Sequence, residues 1–362
     1  MKLFFQGIGV LVGYNWALPY YLSKNSGINI LVESQPLSYF MGGFFYHYRC
    51  LSKLKFFPRP SEHGVNLSKK IPLYRDLIKR IAERSNLLHL NVPTISNTLF
   101  SVKKPKIFVF HGSGINDDKD KKLELIRSKV DAFIAISNYA KLNLQKRGLV
   151  VDRVVYHGVD LGLFNQSVIS KPRAKKALNL PKDKKVILWS ARLSPEKNLN
   201  VFLDAIPIIS REFDVIFVIN IRTISDFKTY KKLISLSKTY RNIIILNWIP
   251  YIKMPILYRA ADLFMHTSLD EGFGLALTEA MACGIPVLAA EAATAPEILE
   301  ENKLSLFKPN DPSDLATKAL SIISNERLTK NLILRNLFII KKSFSVRKMA
   351  DNYLQLYKRI AL

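Results

Sequence analysis

Short apolar runs alternate with helical patterns along almost the whole chain, and this constrains the fold more than any other feature. Strand candidates fall at 28–32, 106–110, 132–136, 154–156, 186–189, 215–219, 243–246, 263–266 and 286–289. Helical stretches at 72–84, 123–129, 139–147, 198–210, 230–238 and 274–282 lie among them. Near-continuous apolar strands separated by helices are the mark of parallel sheets covered on both faces. Crossovers of this kind give doubly wound α/β sheets, which bind ligands beyond the carboxyl ends of their strands. The uncharged stretch 3–23 is long enough to span a membrane. It contains Gln6, Asn15, Pro19 and three glycines, with no small-residue cleavage site. A strand at 3–6, a Gly-rich turn at 7–13 and a helix at 15–24 account for it better.

A chain of 362 residues suits two domains of roughly 150–180 residues. The segment 165–185 is rich in Pro, Lys and Asn and ends at the apolar run 186–189, so it is the expected boundary. We therefore expect an N-terminal Rossmann-like domain over 1–165, a linker over 166–185, a second such domain over 186–343, and a terminal helix over 344–362. Met349, Tyr353, Leu356, Tyr357 and Ile360 are spaced so that this helix packs back on the body. A hydrophobic fraction of 48% excludes general disorder. Two cysteines, Cys50 and Cys283, cannot form a disulfide framework, and no C-x-x-C or His/Cys cluster suggests zinc. A reducing, cytoplasmic setting fits.

The most informative stretch is DEGFGLALTEAMACGIPVLAA at 270–290. A strand runs into a turn, then a helix, then another strand. Gly272 and Gly274 allow close backbone approach, and the helix starting near Leu275 offers free amides and the positive end of its dipole. That describes a phosphate cradle. Phosphate repels carboxylates, so Glu271 and Glu279 suit hydrogen bonds from ribose or sugar hydroxyls. In WSARLSPEKNL at 189–199, Arg192 and Lys197 stand five apart between a strand and a helix. They can converge on one diphosphate. The residues alone leave two solvated loop cations equally open.

The Arg-x4-Lys loop followed by an E-x7-E unit resembles glycosyltransferase family 4, the group 1 retaining glycosyltransferases of GT-B fold. HGVDLGLF at 157–164, LYRAADLFMHTS at 257–268 and FSVRKMADNYLQLY at 344–357 are similar to further segments of that family. The resemblance covers nearly all of 105–362 and is weaker before residue 100. It implies two Rossmann-like domains facing across a cleft, with a nucleotide diphosphate sugar as donor and no metal or other cofactor. Glu271 would lie beside the transferred sugar, with the amides of Gly272, Phe273 and Gly274 nearby. Leu275 would donate its amide to the diphosphate, Glu279 would hold the ribose, and Arg192 and Lys197 would neutralise the leaving group. Trp248 and Ile249 match the region flanking the base. His111 stands where the family places a histidine near the donor sugar, and Gly7 and Gly9 match the first Gly-rich turn. Two loops depart from the pattern. Asn220–Ile221–Arg222 replaces a Gly-x-Gly, and Ala293–Thr294–Ala295 replaces a Gly-Gly pair before Pro296–Glu297.

The net charge of +25 favours anionic partners. Between residues 49 and 84, about ten Lys/Arg face three acids. Aromatic residues interleave with this charge from 41 to 60. Leu73, Leu77, Ile78 and Ile81 then form a stripe opposite Arg75, Lys79, Arg80 and Arg84. Segment 41–84 thus suits either an anionic membrane surface or an ordinary amphipathic helix on a sheet. The resemblance sends acceptors to the N-terminal domain, so a glycan or lipid-linked acceptor and a peripheral position on the inner membrane face are expected. Nucleic acid is not expected, because the donor motifs account for the site. Asp118-Lys119-Asp120 reads as a solvated loop and not a metal site. A GT-B-fold nucleotide-sugar epimerase or hydrolase, and a non-catalytic nucleotide-sugar or glycan binding protein, are the alternatives.

Overall fold

The computed structural model describes residues 1–6, 18–19, 21–22, 29–34, 54–58, 72–91, 97–114, 120–247 and 249–361. Gly7, Gly9, Trp248, Cys50, the pair Asp118 and Lys119, and most of 41–71 lie outside these residues. The chain divides into two compact units, Met1–Gly158 with Val346–Leu362, and Val159–Ser345.

The first unit is built on β1 (Lys2–Gln6), β2 (Asn29–Ser34), β3 (Leu54–Pro58), β4 (Leu87–Leu90), β5 (Lys106–Phe110), β6 (Ala132–Ala135) and β7 (Arg153–Val154). They lie in the order β3-β2-β1-β4-β5-β6-β7, every pair parallel. The second unit holds β8 (Lys185–Leu193), β9 (Val215–Ile224), β10 (Ile243–Asn247), β11 (Leu263–His266), β12 (Val287–Ala290) and β13 (Leu306–Phe307). Their order, β10-β9-β8-β11-β12-β13, is again wholly parallel. Each sheet starts in its middle and winds outward both ways. The winding reverses between β1 and β4 in one and between β8 and β11 in the other, which is where such sheets take ligands.

Burial explains why these segments form strands. Val186, Ile187, Leu188 and Trp189 are all buried, as a parallel strand covered on both faces requires. Helix Leu199–Glu212 sets Phe202 and Ile206, and helix Pro312–Ser324 sets Leu315 and Ala319, into one core with Trp189, Phe217 and Leu263. Each such side chain contributes about 1.5–3 kcal/mol through burial. The first core joins Leu88, Leu90, Phe108, Phe133 and Leu144.

The terminal helix Val346–Ala361 buries Met349, Tyr353, Leu356 and Tyr357 and belongs to the first unit. The stretch 166–185 carries helix Lys171–Ala177. Asp262 ties that helix down, accepting from Lys171 Nζ at 2.7 Å and from the Val186 amide at 2.9 Å. Within 41–84, residues 54–58 form the edge strand β3 and Pro72–Glu83 is a helix. Its Ile81 and Ala82 pack on the first core while Lys79, Arg80 and Arg84 stay exposed. At its C-terminal end the apolar stripe therefore serves the fold. No described helix is long and apolar enough to cross a membrane.

Candidate active site

The chemistry of the second unit gathers at its switch point. Arg192 is the penultimate residue of β8, not a loop residue, because the ladder to β9 continues past the apolar run. A 3-10 turn, Pro195–Lys197, then leads into helix Leu199–Glu212 through Asn198 in the left-handed region. That turn is fastened to the end of β11. Thr267 Oγ1 donates to the Lys197 carbonyl at 2.7 Å, Trp189 Nε1 donates to Thr267 Oγ1 at 2.9 Å, and the Leu269 amide donates to the Glu196 carbonyl at 2.8 Å.

Lys197 is itself buried, and its ammonium forms an ion pair with Glu271. Arg192 is exposed and reaches Glu196 at 3.4 Å. Glu196 also accepts from Ser194 Oγ at 2.5 Å. Burial works against its charge, but the Ser194 bond, its own backbone and the two cations bring it below the usual carboxylate range.

Gly274 caps helix Leu275–Ala282 with φ +90°, a conformation that side chains resist, and no capping side chain covers the helix start. A Cβ at Gly274 would stand 3.4 Å from Ile298 Cδ1 and 3.8 Å from Glu271 Cγ. Those are ordinary contact distances, so it is the φ of the turn, not lack of space, that calls for glycine. Thr294 Oγ1 donates to the Phe273 carbonyl at 2.9 Å and holds the loop from the other side. One turn into the helix, Glu279 is buried and accepts from Tyr258 Oη at 3.0 Å. Burial pushes its carboxyl up to about 7, against the opposing pull of Tyr258, Tyr251 and Arg222. Ile249 precedes the 3-10 turn Tyr251–Lys253 and is half-buried.

His111, directly after β5, lies in the first unit within a buried polar chain. Its Nε2 is 2.9 Å from Asn91 Oδ1, and His89 Nε2 is 3.1 Å from the same oxygen. An amide oxygen only accepts, so both imidazoles donate through Nε2. With both rings neutral, their Nδ1 atoms accept, from Tyr357 Oη at 2.6 Å for His89 and from His157 Nε2 at 3.2 Å for His111. Burial holds His89 and His157 at about 3. Burial, then repulsion from His157 and His89, keeps His111 well below its ordinary value.

The second unit thus brings together Lys197, Glu271 and Gly274, with Arg192 on the strand leading into the same turn. Asn91 and His89, and the hydrogen-bonding roles of His157, Tyr357, Tyr258 and Thr267, escaped the sequence reading, since no motif or spacing links residues as distant as 89 and 357. Among the described residues no group of three or more His, Cys, Asp or Glu could hold a metal ion.

Two wholly parallel, doubly wound sheets are the architecture of the GT-B fold, and one switch point here sets a Lys–Glu pair beside an uncapped, glycine-led helix. Residues 170–336, all in the second unit, match the glycosyl transferases group 1 family. The second unit is therefore similar to the group 1 glycosyltransferases. It is 27% identical over 269 residues to an uncharacterised glycosyltransferase of Methanocaldococcus jannaschii, covering 71% of this chain and 69% of that one. It is 24% identical to the GPI3 subunit of phosphatidylinositol N-acetylglucosaminyltransferase from Saccharomyces cerevisiae, over 58% of this chain and 47% of the yeast one. The chain therefore spans about half the length of that relative. The crystal structure of Anabaena HepE with UDP and glucose superposes with a TM-score of 0.79 at 20% identity, over 99% of this chain and all of that one.

Proposed function

We propose that the protein moves a sugar from a nucleotide diphosphate donor to a hydroxyl acceptor with retention of anomeric configuration and without a metal. The observation that carries this reading is the Lys197–Glu271 ion pair beside the uncapped start of helix Leu275–Ala282. Departure of the diphosphate leaves positive charge on the anomeric carbon and negative charge on the leaving oxygens. Lys197, Arg192 and the amides at the helix start stabilise the latter. These cations do the work that a divalent metal would otherwise do.

Glu271 takes hydroxyls of the transferred sugar, near the backbone of Gly272, Phe273 and Gly274. Glu279 takes the ribose, and Trp248 and Ile249 flank the base. His111 is the first unit's contact to the donor sugar, and Gly9 is assigned to donor binding with it. The acceptor attacks from the face that the diphosphate leaves.

The Anabaena relative was crystallised with UDP-glucose, so uridine donors are the first to try. Thermal-shift titration with UDP-, GDP- and ADP-sugars should give a donor-selective rise in Tm that is lost in Lys197→Ala. The anomer of the product, read by NMR with an acceptor panel in the presence of EDTA, tests retention and metal independence. Inverted product, or turnover that needs a divalent ion, would overturn those parts. Turnover independent of acceptor would favour a hydrolase or epimerase, and donor binding without any turnover a binding protein.

The phosphatidylinositol-linked name of the yeast relative makes a lipid-linked or membrane glycan acceptor the leading choice. The exposed Lys79, Arg80 and Arg84 suit a cytoplasmic, peripheral position on an anionic surface. Co-sedimentation with anionic but not neutral vesicles is expected, and equal recovery with both would sink that assignment.

A further inference from the structure

The ladder between β8 and β9 is regular from Lys185–Val215 to Ala191–Ile221, then slips by one residue, so that Leu193 pairs with Ile224. A single β8 residue, Arg192, therefore faces two on β9, Arg222 and Thr223. Bulges of this kind concentrate beside active sites and re-aim side chains. The slip leaves Arg192 and Arg222 at the same level of neighbouring strands, just past the Ala191–Ile221 pair.

The slipped end is held in place. The Leu193 carbonyl accepts from the amides of Ser225 at 2.8 Å and Asp226 at 3.1 Å. Arg222 is exposed, and no carboxylate within ion-pair distance claims it among the described residues. The nearest acid in sequence, Asp226, caps the following helix by accepting from the Thr229 amide at 3.0 Å. Buried Glu279 is engaged by Tyr258 and feels the Arg222 charge without pairing with it.

Two arginines at the same level of neighbouring strands, Arg192 reaching only Glu196 at 3.4 Å and Arg222 in no ion pair among the described residues, suit an anion that bridges them. The strand order places that anion. β9 lies between β8, which carries Arg192, and β10, which leads to Ile249. A donor whose diphosphate lies at β8 and whose base lies beyond β10 crosses the end of β9 with the phosphate nearest its ribose. We propose that Arg222 is a donor-binding residue that grips this nucleoside-side phosphate, adding a third cation to Arg192 and Lys197. The group 1 resemblance has glycine at this position, so the grip is particular to this chain. The proposal rests on the nucleotide-sugar reading above.

Titration calorimetry of the full chain with uridine, UMP and UDP, and with the guanine and adenine series, tests it. Arg222→Gln should weaken UMP and UDP, or their counterparts in the preferred series, by the same factor of about tenfold, the loss of one charge-assisted hydrogen bond. Nucleoside binding should not change, and Arg222→Lys should recover part of the loss. Lys197→Ala should weaken the diphosphate more than the monophosphate. Unchanged monophosphate binding in Arg222→Gln, or an equal loss for the nucleoside, would overturn the proposal while leaving the donor site intact. A wild-type chain that binds no nucleotide at all would overturn the donor reading itself.

Discussion

The fourth strand of each sheet, β4 in one unit and β11 in the other, sits at the same place in the winding order and ends in different chemistry. β4 carries His89 and leads into Asn91, which with His111, His157 and Tyr357 form a chain of neutral groups hydrogen-bonded to one another. β11 leads into Thr267 and then Glu271, whose carboxylate meets a buried lysine beside an open helix start. One switch point links neutral polar groups to one another, and the other sets a charged pair beside an open helix start. Neutral, hydrogen-bonded groups cost less to bury than charges, which retain a drive toward a ligand. The topology supplies the position in both units, and side-chain charge decides what each position does.

If that division holds, Lys197→Ala should lower kcat by about 10²–10³-fold, the usual cost of one transition-state charge partner. Its effect on stability should be small, because the Glu271 side chain keeps 25% exposure and can be hydrated when Lys197 is gone. Steady-state kinetics beside a urea unfolding curve would show this. A collapse in stability with unchanged kcat would mean that the pair serves the fold. Asn91→Leu should do the reverse. It strips the acceptor from the Nε2 of both His89 and His111, and each stranded donor costs about 1–3 kcal/mol of stability. Donor Kd in the folded Asn91→Leu protein should weaken less than in Lys197→Ala, because His111 loses an orienting partner but no charge is removed.

Acidity should separate the units further. Between pH 6.5 and about 3, the unfolded chain takes up protons that buried His89 and His157 refuse. Stability at these sites is therefore present above 6.5 and falls with pH, by about 2 kcal/mol per histidine at pH 5. Glu279 has the opposite sign. The folded chain binds its proton up to about 7 while the unfolded carboxyl releases it near 4.5, so acidification favours the folded state there. Hydrogen exchange at pH 7 and 5, corrected for intrinsic rates, should show protection in β5 and β6 falling while that in β8 and β11 holds. Parallel loss in both sheets would break the comparison.

The parallel architecture and the donor edge were legible because both rest on local signals. Apolar runs such as Val186–Trp189 and the glycines at 272 and 274 announce themselves within a few residues. β4 was not read, since LLHL is too short for any periodicity, and β3 was masked by its lysine and aromatic content. Arg192 was placed in a loop because the apolar run ends at Trp189, whereas the hydrogen-bond ladder continues to Leu193. The histidine chain depends on contacts across more than 250 positions, which a sequence does not display.

The smallest effect concerns the loop where the family resemblance has a Gly-Gly pair. Ala293 adopts φ +50°, in the left-handed region, immediately before Thr294, whose hydroxyl holds the Phe273 carbonyl. An alanine there carries about 1–2 kcal/mol of backbone strain. Ala293→Gly removes that strain but frees the unfolded chain by about 0.4–1 kcal/mol, so a net gain of about 0.5–1 kcal/mol is expected. If the strain is incidental, Tm rises slightly and donor KM and kcat are unchanged. A fall in kcat alongside the gain would show that the strained residue presses Thr294 onto the donor loop. The charged edge would then depend on a rigidity that the neutral edge obtains from its hydrogen bonds alone.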